Sequence, residues 1–273
     1  MPGFRNGARA LALAPFLLAC AAVPAAAAND LPVTVSVEGT EIVARGRDGA
    51  ALVPKALVGA TFALGDPATG AYLLRIDRVM SDPEAPGKLD LYDLSVRAPA
   101  SERWEKLCEA DPHGRTTALV VPGFWDKEGR FVGGAAGELS FACTAGAQGK
   151  CVRFGYLPWA RAPNVESMAP HHAACVRMVR ADYCGDGTPH TVPGVTIQMF
   201  DRAGVHGHPD TAHGAFEAVW GPDGAVCLAR ARRPEFPLAD ILRQCPRLAR
   251  VPPAACTEGA IDTMPGALLG NRS

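Results

Sequence analysis

The distribution of cysteine is the sequence feature that most constrains the fold. The chain of 273 residues contains nine cysteines, and all of them except Cys20 follow residue 107. The eight cysteines after residue 107 are an even number, which in an exported chain is typical of a disulfide framework. No CxxC pair is present to indicate a structural zinc site. We therefore predict up to four disulfides among eight residues: Cys108, Cys143, Cys151, Cys175, Cys184, Cys227, Cys245 and Cys256.

Residues 1–28 have the features of a secretory signal peptide. Arg5 and Arg9 precede an apolar run that is too short to span a membrane, and small residues suit cleavage after Ala28. A second interpretation stays open, because the sequence LLAC ending at Cys20 is similar to a lipoprotein box. Lipidation of Cys20 would tether the domain to a membrane, but the apolar run continues past it, which favours simple secretion. Either interpretation predicts export to the periplasm or the extracellular space.

The charge of the chain excludes one class of partner. Cleavage after residue 28 removes two arginines and no acidic residue, so the formal net charge falls from −1 to −3. Domains that bind nucleic acid usually carry a basic patch and a positive net charge. We therefore predict no nucleic-acid partner, and we expect contact with a membrane only if Cys20 is lipidated. The sequence does not identify any other partner.

Cysteine content divides the mature chain into parts of different composition. Residues 29–106 contain no cysteine, and apolar residues alternate with polar ones in stretches such as YLLRI (72–76), which is typical of half-buried strands. Residues 107–250 mix helical and strand patterns, and residues 251–273 follow as a C-terminal tail. The predicted fold class is α+β and disulfide-stabilised, with a β-rich N-terminal part followed by a cysteine-rich mixed part that has two or three helices and a C-terminal hairpin.

The sequence FEAVWGPDGAVCLAR predicts this hairpin, because its GPDG centre combines a proline and a glycine that favour a tight turn. If Gly221 pairs with Gly224, Ala218 lies opposite Cys227. Cys227 then lies on the same face of the hairpin as Trp220.

A helix is predicted after the hairpin. Pro237 suits its first turn, and the apolar residues that follow recur at the spacing of one helical face: Leu238, Ile241, Leu242 and Cys245. This apolar stripe needs a surface to pack on, and the hairpin face offers one. We therefore predict a disulfide between Cys227 and Cys245.

Another helix is predicted by the sequence HHAACVRMVRADYCGDG, which starts with His171. We expect this helix to begin near Ser167 or Pro170 and to end at Gly185. One of the two histidines at its start, His171 and His172, should be exposed, and the other should help the packing.

The two cysteines of this helix are predicted to leave it from opposite faces. Cys175 and Cys184 are nine residues apart, which in a helix is roughly 13 Å of rise and half a turn out of phase. A disulfide needs Cα atoms within about 7 Å, so the two cannot pair with each other. Each must reach a different element, and Cys143 and Cys151 are the natural candidates.

Asp182 lies on the inward face of the predicted helix and in its last turn, where the helix dipole disfavours an anion by about 0.3 to 1 kcal/mol. One interpretation gives it a buried partner, either an arginine or the N–H groups of the turn at 184–187. Another gives it a cation held together with Asp186 and Asp201, although the spacing does not match a known calcium loop. The candidate binding residues are Asp182, Asp186 and His190.

The four residues Ala181-Asp182-Tyr183-Cys184 resemble the centre of the bacterial ADYC domain, a family named after them. The likeness extends upstream to FACTAGAQGKCVRFGYLPW, downstream to AVWGPDGAVCLAR and more loosely to YLLRI. Residues 107–250 are therefore identified as an ADYC-like domain. The resemblance implies an exported domain of unknown function, and it supplies no catalytic residue.

Three histidines in the sequence HGHPDTAH are further candidates for a metal site: His206, His208 and His213. An HxH pair on an extended segment can share a metal ion with a third histidine. However, the Gly, Pro and Asp of this segment favour a loop, and the HExxH, GxSxG and SxxK signatures are absent. We therefore predict no metal centre and no cofactor, and we name no catalytic residue.

The sequence favours a non-enzymatic domain over an enzyme. The first hypothesis is an exported, disulfide-bonded binding or structural module of the cell envelope. The alternative is a secreted hydrolase or metal-dependent enzyme that uses the region from Asp182 to His213.

We expect the mature protein to contain no free thiol. Titration of denatured, non-reduced protein should find fewer than about one reactive thiol per chain, and the reduced protein should give all eight as the control. A larger number in the non-reduced sample would contradict the four-bridge framework.

Overall fold

The computed structural model describes residues 34–46, 48–52, 54–64, 70–85, 89–127, 129–134, 138–208 and 210–273. The predicted signal peptide and Cys20 lie outside these residues. The described chain is a mixed α+β structure in which sheets dominate the N-terminal part, and helices and a further sheet follow. This agrees with the predicted fold class. None of the helices in the described part combines the length and the apolar character that are needed to cross a membrane.

The strands and helices have the following bounds. The strands of the described residues are β1 (Thr34–Glu38), β2 (Glu41–Arg45), β3 (Ala51–Leu52), β4 (Thr61–Leu64), β5 (Tyr72–Ser81), β6 (Asp90–Arg97), β7 (Glu105–Lys106), β8 (Thr117–Val121), β9 (Gly123–Trp125), β10 (Phe131–Gly133), β11 (Ser140–Cys143), β12 (Gln198–Asp201), β13 (Phe216–Gly221), β14 (Gly224–Leu228) and β15 (Leu269–Arg272). The helices are α1 (Ala147–Arg153), α2 (Ala169–Arg180), α3 (Leu238–Gln244) and α4 (Ala260–Thr263).

Two antiparallel sheets share one apolar core in the N-terminal part. One sheet has the order β1-β2-β3, and the other has the order β11-β8-β6-β5-β4 with β7 paired to β6. Their common core includes Ile42 of β2, Ile76 of β5 and Val120 of β8. The Tyr92 hydroxyl on β6 accepts the N–H of Ile42 at 2.9 Å and so links the two sheets.

The larger sheet crosses the boundary that cysteine content placed at residue 106. β8 and β11 come after Cys108 in the sequence, but they pair within the same sheet as β6. All five residues of β8 are buried, as expected for a continuous apolar run in a central strand. The disulfide between Cys108 and Cys143 also lies in this part. The change in composition therefore occurs inside one sheet.

A second core lies between α2 and a four-stranded antiparallel sheet of order β12-β15-β13-β14. Trp220 of β13 and Met178 of α2 are fully buried in it. The predicted hairpin is present as β13 and β14, with Gly221 opposite Gly224. The helix predicted after Pro237 is α3.

The residues set apart as a C-terminal tail belong to this sheet. β15 lies between β12 and β13 and pairs with both, and Cys256 is disulfide-bonded. Gly270 of β15 is required there, because a Cβ would lie 2.3 Å from Cζ of Phe200. The sequence LGNR lacks the β-branched and aromatic residues that mark strands, so only its tertiary pairing identifies it.

All eight cysteines of the described chain are paired, as predicted. The bridges are Cys108–Cys143, Cys151–Cys175, Cys184–Cys245 and Cys227–Cys256. Cys175 and Cys184 do reach different elements, and the candidate Cys151 is the partner of Cys175. The other candidate, Cys143, is wrong, because it pairs with Cys108 across the N-terminal part.

The predicted bridge between Cys227 and Cys245 is also wrong, because a β-bulge shifts the hairpin register. The shift occurs after Val219, so that Cys227 lies opposite Val219 instead of Ala218. A slip of one residue moves a side chain to the other face of a sheet. Cys227 therefore packs with Val219 and Cys256, whereas Cys245 packs in the core that contains α2.

Removal of the bridge between Cys227 and Cys256 should leave a folded but weaker protein. The double variant Cys227→Ser/Cys256→Ser should lose about 3 to 4 kcal/mol of unfolding free energy, measured with urea, because the bridge closes a segment with a sequence separation of 29. This variant should show no free thiol. The matched variant Cys227→Ser/Cys245→Ser breaks two bridges and should show two free thiols; equal thiol counts would refute the connectivity.

Candidate functional site

α2 ends earlier than Gly185, where its end was predicted. Ala181, the next residue after the helix, adopts the left-handed conformation with φ of 49°. The N–H of Ala181 donates to the Met178 carbonyl at 3.0 Å, and the N–H of Asp182 donates to the Arg177 carbonyl at 2.9 Å. This pattern is a Schellman motif, formed here with alanine at the position where glycine is usual.

Asp182 therefore lies beyond the helix and not in its last turn. Its carboxylate is fully buried. It accepts a hydrogen bond from Nη1 of Arg177 at 2.5 Å and from the N–H groups of Gly185 and Gly187, each at 2.9 Å. Both partners named by the first interpretation, an arginine and the N–H groups of the turn, are present together.

The carboxylates of the alternative cation site also have protein donors. Asp186 accepts the N–H of Thr188 at 2.9 Å, and this bond lowers the pKa of Asp186. Asp201 accepts the Tyr156 hydroxyl at 2.9 Å and a backbone N–H at 2.6 Å. Within the described ranges, no three His, Cys, Asp or Glu side chains are grouped so that they could hold a metal ion.

His190 closes the C-terminal end of α2. Its N–H donates to the Arg180 carbonyl at 3.1 Å, and its ring Nδ1 lies 3.0 Å from the Ala181 carbonyl. The ring contacts Tyr183 and Phe236, with a centroid distance of 5.3 Å in each case. These bonds satisfy carbonyls that the end of a helix leaves without partners.

Tyr183 reaches a buried ion pair that no sequence pattern predicted. Its hydroxyl donates to Glu217 at 3.0 Å and accepts the N–H of Arg232 at 2.8 Å. The Arg232 guanidinium is bidentate to the Glu217 carboxylate at 2.9 and 3.0 Å, and both side chains are almost completely buried. Burial and the nearby Glu217 carboxylate raise the pKa of Tyr183 far above its usual range.

The ion pair also holds α2 and β15. The Arg232 guanidinium donates to the carbonyls of Met178 at 2.7 Å and Val179 at 3.1 Å. Asn271 of β15 donates to Glu217 at 2.8 Å and accepts the indole N–H of Trp220 at 2.8 Å. In the sequence, the one sign of this ion pair is Glu217, a single acidic residue inside the apolar strand FEAVW. It does not identify Arg232 as the partner.

Both histidines at the start of α2 are buried, so the expectation that one is exposed is wrong. His172 Nδ1 lies 2.9 Å from the Tyr156 carbonyl, and His172 Nε2 lies 3.2 Å from the indole Nε1 of Trp125. The indole can only donate, so these contacts select the neutral tautomer with the hydrogen on Nδ1. Burial lowers the pKa of His172 to about 4, and it also lowers the pKa of His171.

The three histidines of HGHPDTAH have different environments. His206 Nε2 lies 2.7 Å from the Phe154 carbonyl. The ring of His208 stacks on Phe200 with centroids 4.2 Å apart, and His213 is exposed. The described residues of this segment belong to no helix or strand, which agrees with the prediction of a loop.

An open groove lies between residues 189–197 and the helices α1 and α2. Its volume is about 800 Å³, within the size range of ligand sites. We name it the loop groove; besides the loop, the residues that line it include Lys150, Phe154, Val179, Arg180 and Arg232.

Cavities occur elsewhere in the described chain as well. A polar depression of about 550 Å³ beside the turn is lined by residues that include Arg177, Asp186 and Asp223. An apolar cavity of about 450 Å³ in the N-terminal part is lined by residues that include Ile42 and Phe141.

Together these contacts define a disulfide-stabilised α+β domain of an oxidising compartment, with a buried ion pair and a closely capped helix at its centre. The chain belongs to the ADYC domain family, whose pattern matches residues 54–234. The match starts within the β-rich part and stops before α3, whereas the sequence analysis placed the ADYC-like part at 107–250. None of the curated proteins and no solved structure is detectably similar to the chain.

The unfolding free energy should fall as pH is lowered from 7 to 4, and His172 should account for part of the fall. An unfolded histidine titrates near about 6.5, whereas the pKa of His172 in the fold is about 4. Between these values the unfolded chain binds more protons, so stability falls by up to about 1.4 kcal/mol per pH unit for this residue and levels off below the folded pKa. Urea unfolding at several pH values measures the slope.

The variant His172→Gln provides the control. It should be less stable at pH 7, because the contact with Trp125 changes, but its stability should depend less on pH over the same range. An unchanged slope would show that His172 is not the titrating group.

Proposed function

We propose that the protein is an exported, non-enzymatic binding module of the cell envelope, acting in the periplasm or outside the cell. Its four disulfides support an oxidising location. The loop groove, which is large enough for a ligand, supports binding over a purely structural role.

One observation carries the non-enzymatic part of the proposal: the polar groups of the ADYC motif are used within the fold. The Asp182 carboxylate accepts three hydrogen bonds. The Tyr183 hydroxyl is bonded to the buried ion pair, and Cys184 is in a disulfide. A catalytic acid, base or nucleophile needs a group that faces the substrate. The motif is better explained as the element that fixes the end of α2.

The same argument weighs against a hydrolase or metal-dependent enzyme that uses the region from Asp182 to His213. Asp182 and Asp201 accept bonds from the protein, and His206 Nε2 contacts a backbone carbonyl. A metal ion would need the lone pairs that these contacts take. We therefore favour the binding module.

Replacement of Asp182 should reduce stability without removing an activity or a metal. Asp182→Asn replaces an acceptor oxygen by an amide that cannot accept the bonds of Arg177 and Gly187, so the unfolding free energy should fall by roughly 2 to 4 kcal/mol. Urea unfolding measures the loss, and elemental analysis of natively purified protein measures zinc and calcium.

Asp186→Asn is the matched control, because Asp186 is an exposed aspartate in the same turn and its replacement should change stability by less than about 1 kcal/mol. Both variants and the parent protein should contain only traces of metal. Stoichiometric zinc or calcium in the parent, lost from a folded Asp182→Asn or His208→Ala protein, would favour the enzyme instead.

A further inference from the structure

The loop that borders the groove has backbone N–H groups that are not hydrogen-bonded within the described chain. Residues 191–196 form no backbone–backbone hydrogen bond within the described chain. Pro193 has no N–H, but each of the other five residues has an N–H with no acceptor among the described residues. Val195 and Thr196 lead towards β12, which is the outer strand of the four-stranded sheet. Unpaired backbone groups beside a sheet edge can pair with an added strand.

The opposite wall of the loop groove is cationic. Lys150 of α1 has no side-chain partner among the described residues. Arg180 of α2 donates to the Gly187 carbonyl at 2.5 Å and pairs with no carboxylate in the part of the chain described. Arg232 also borders the groove, but Glu217 offsets its charge. No Asp or Glu among the described residues lines this groove, so its charge complements an anion.

Apolar side chains complete the surface. Phe154 and Val179 are half-buried in the helical wall, and Val192 and Ile197 belong to the loop. An extended peptide alternates its side chains between two sides, so it can offer carboxylates to Lys150 and apolar groups to the rest of the groove. A small inorganic anion would use the cations alone and would leave the loop backbone unpaired.

We propose that the loop groove binds an extended acidic segment of a polypeptide, which pairs with the backbone of Val195 and Thr196 and places a carboxylate beside Lys150 and Arg180. This proposal rests on the proposed binding function and specifies its ligand. The free backbone supplies hydrogen bonds, and the charge of the groove selects acidic sequences.

The test uses the full mature protein and a fluorescein-labelled hexapeptide in which Glu and Val alternate, with the Lys and Val counterpart as the charge control. Fluorescence anisotropy should detect binding of the acidic peptide and at least about tenfold weaker binding of the basic one. Equal binding of the two peptides, or no binding of the acidic one, would overturn the proposal.

Lys150→Glu should weaken binding of the acidic peptide by about tenfold or more. The side chain of Lys150 has no partner among the described residues, so this change should not unfold the protein. Arg250→Glu makes a similar change of charge at an exposed residue that does not line the groove, and it should leave binding within about twofold. Similar losses in both variants would indicate a general charge effect and would refute the site.

Hydrogen exchange tests the strand pairing itself. The amides of Val195 and Thr196 should exchange fast in the free protein and should slow by about tenfold or more when the acidic peptide is saturating. Inorganic phosphate at the same concentration should not protect them. Protection that appears only around Ile42 or Phe141 would place the ligand in the apolar cavity. Peptide binding without protection of Val195 and Thr196 would show that the groove binds the peptide only as an anion. Either result overturns the proposal.

The two proposals can fail separately. The non-enzymatic part of the proposed function is judged by metal content and by the Asp182 variants, which do not involve the loop groove. Failure of the peptide experiments with normal results for those variants removes the ligand assignment alone.

Discussion

The buried ion pair between Glu217 and Arg232 is the interaction on which the C-terminal core depends. Each buried charge costs several kcal/mol of desolvation, which is offset only when further hydrogen bonds satisfy both groups. Tyr183 and Asn271 supply these bonds to Glu217, and the end of α2 supplies carbonyls to Arg232. Four separate parts of the chain therefore meet at this ion pair, and loss of either partner would leave a buried charge unpaired.

The ADYC motif brings α2 to this ion pair, and each of its residues has a different part. Ala181 turns the chain out of the helix, and Asp182 organises the turn that follows. Tyr183 reaches the ion pair, and Cys184 ties the turn to the end of α3. The next residue, Gly185, has a φ of 77°, and a Cβ there would lie 2.0 Å from the Asp223 carbonyl. The motif and the hairpin turn thus fit together at backbone distance.

Local sequence patterns predicted the hairpin and the helices. Strand register, disulfide pairing and the partners of buried charges depend on tertiary contacts, which these patterns do not contain. The hairpin and α3 were placed correctly because turn residues and helical spacing are local. The early end of α2 was missed because alanine, not glycine, takes the left-handed position at Ala181. A bulge after Val219 moved Cys227 to another core, and nothing in the sequence marks it. The partners of Asp182 could be named by type because they lie within a few residues, whereas the partner of Glu217 lies in another segment.

The order of the cysteines along the chain has a consequence for maturation. Each of the first two bridges joins two cysteines that are consecutive in the list of cysteines along the chain. Oxidation of thiols in the order in which they leave a secretion channel therefore forms both bridges directly. The last two bridges interleave, since Cys184 pairs with Cys245 and Cys227 pairs with Cys256. Oxidation in the order of emergence would join Cys184 to Cys227, which is not a native pair. The C-terminal half therefore needs either delayed oxidation, after the whole chain has emerged, or reshuffling by a disulfide isomerase.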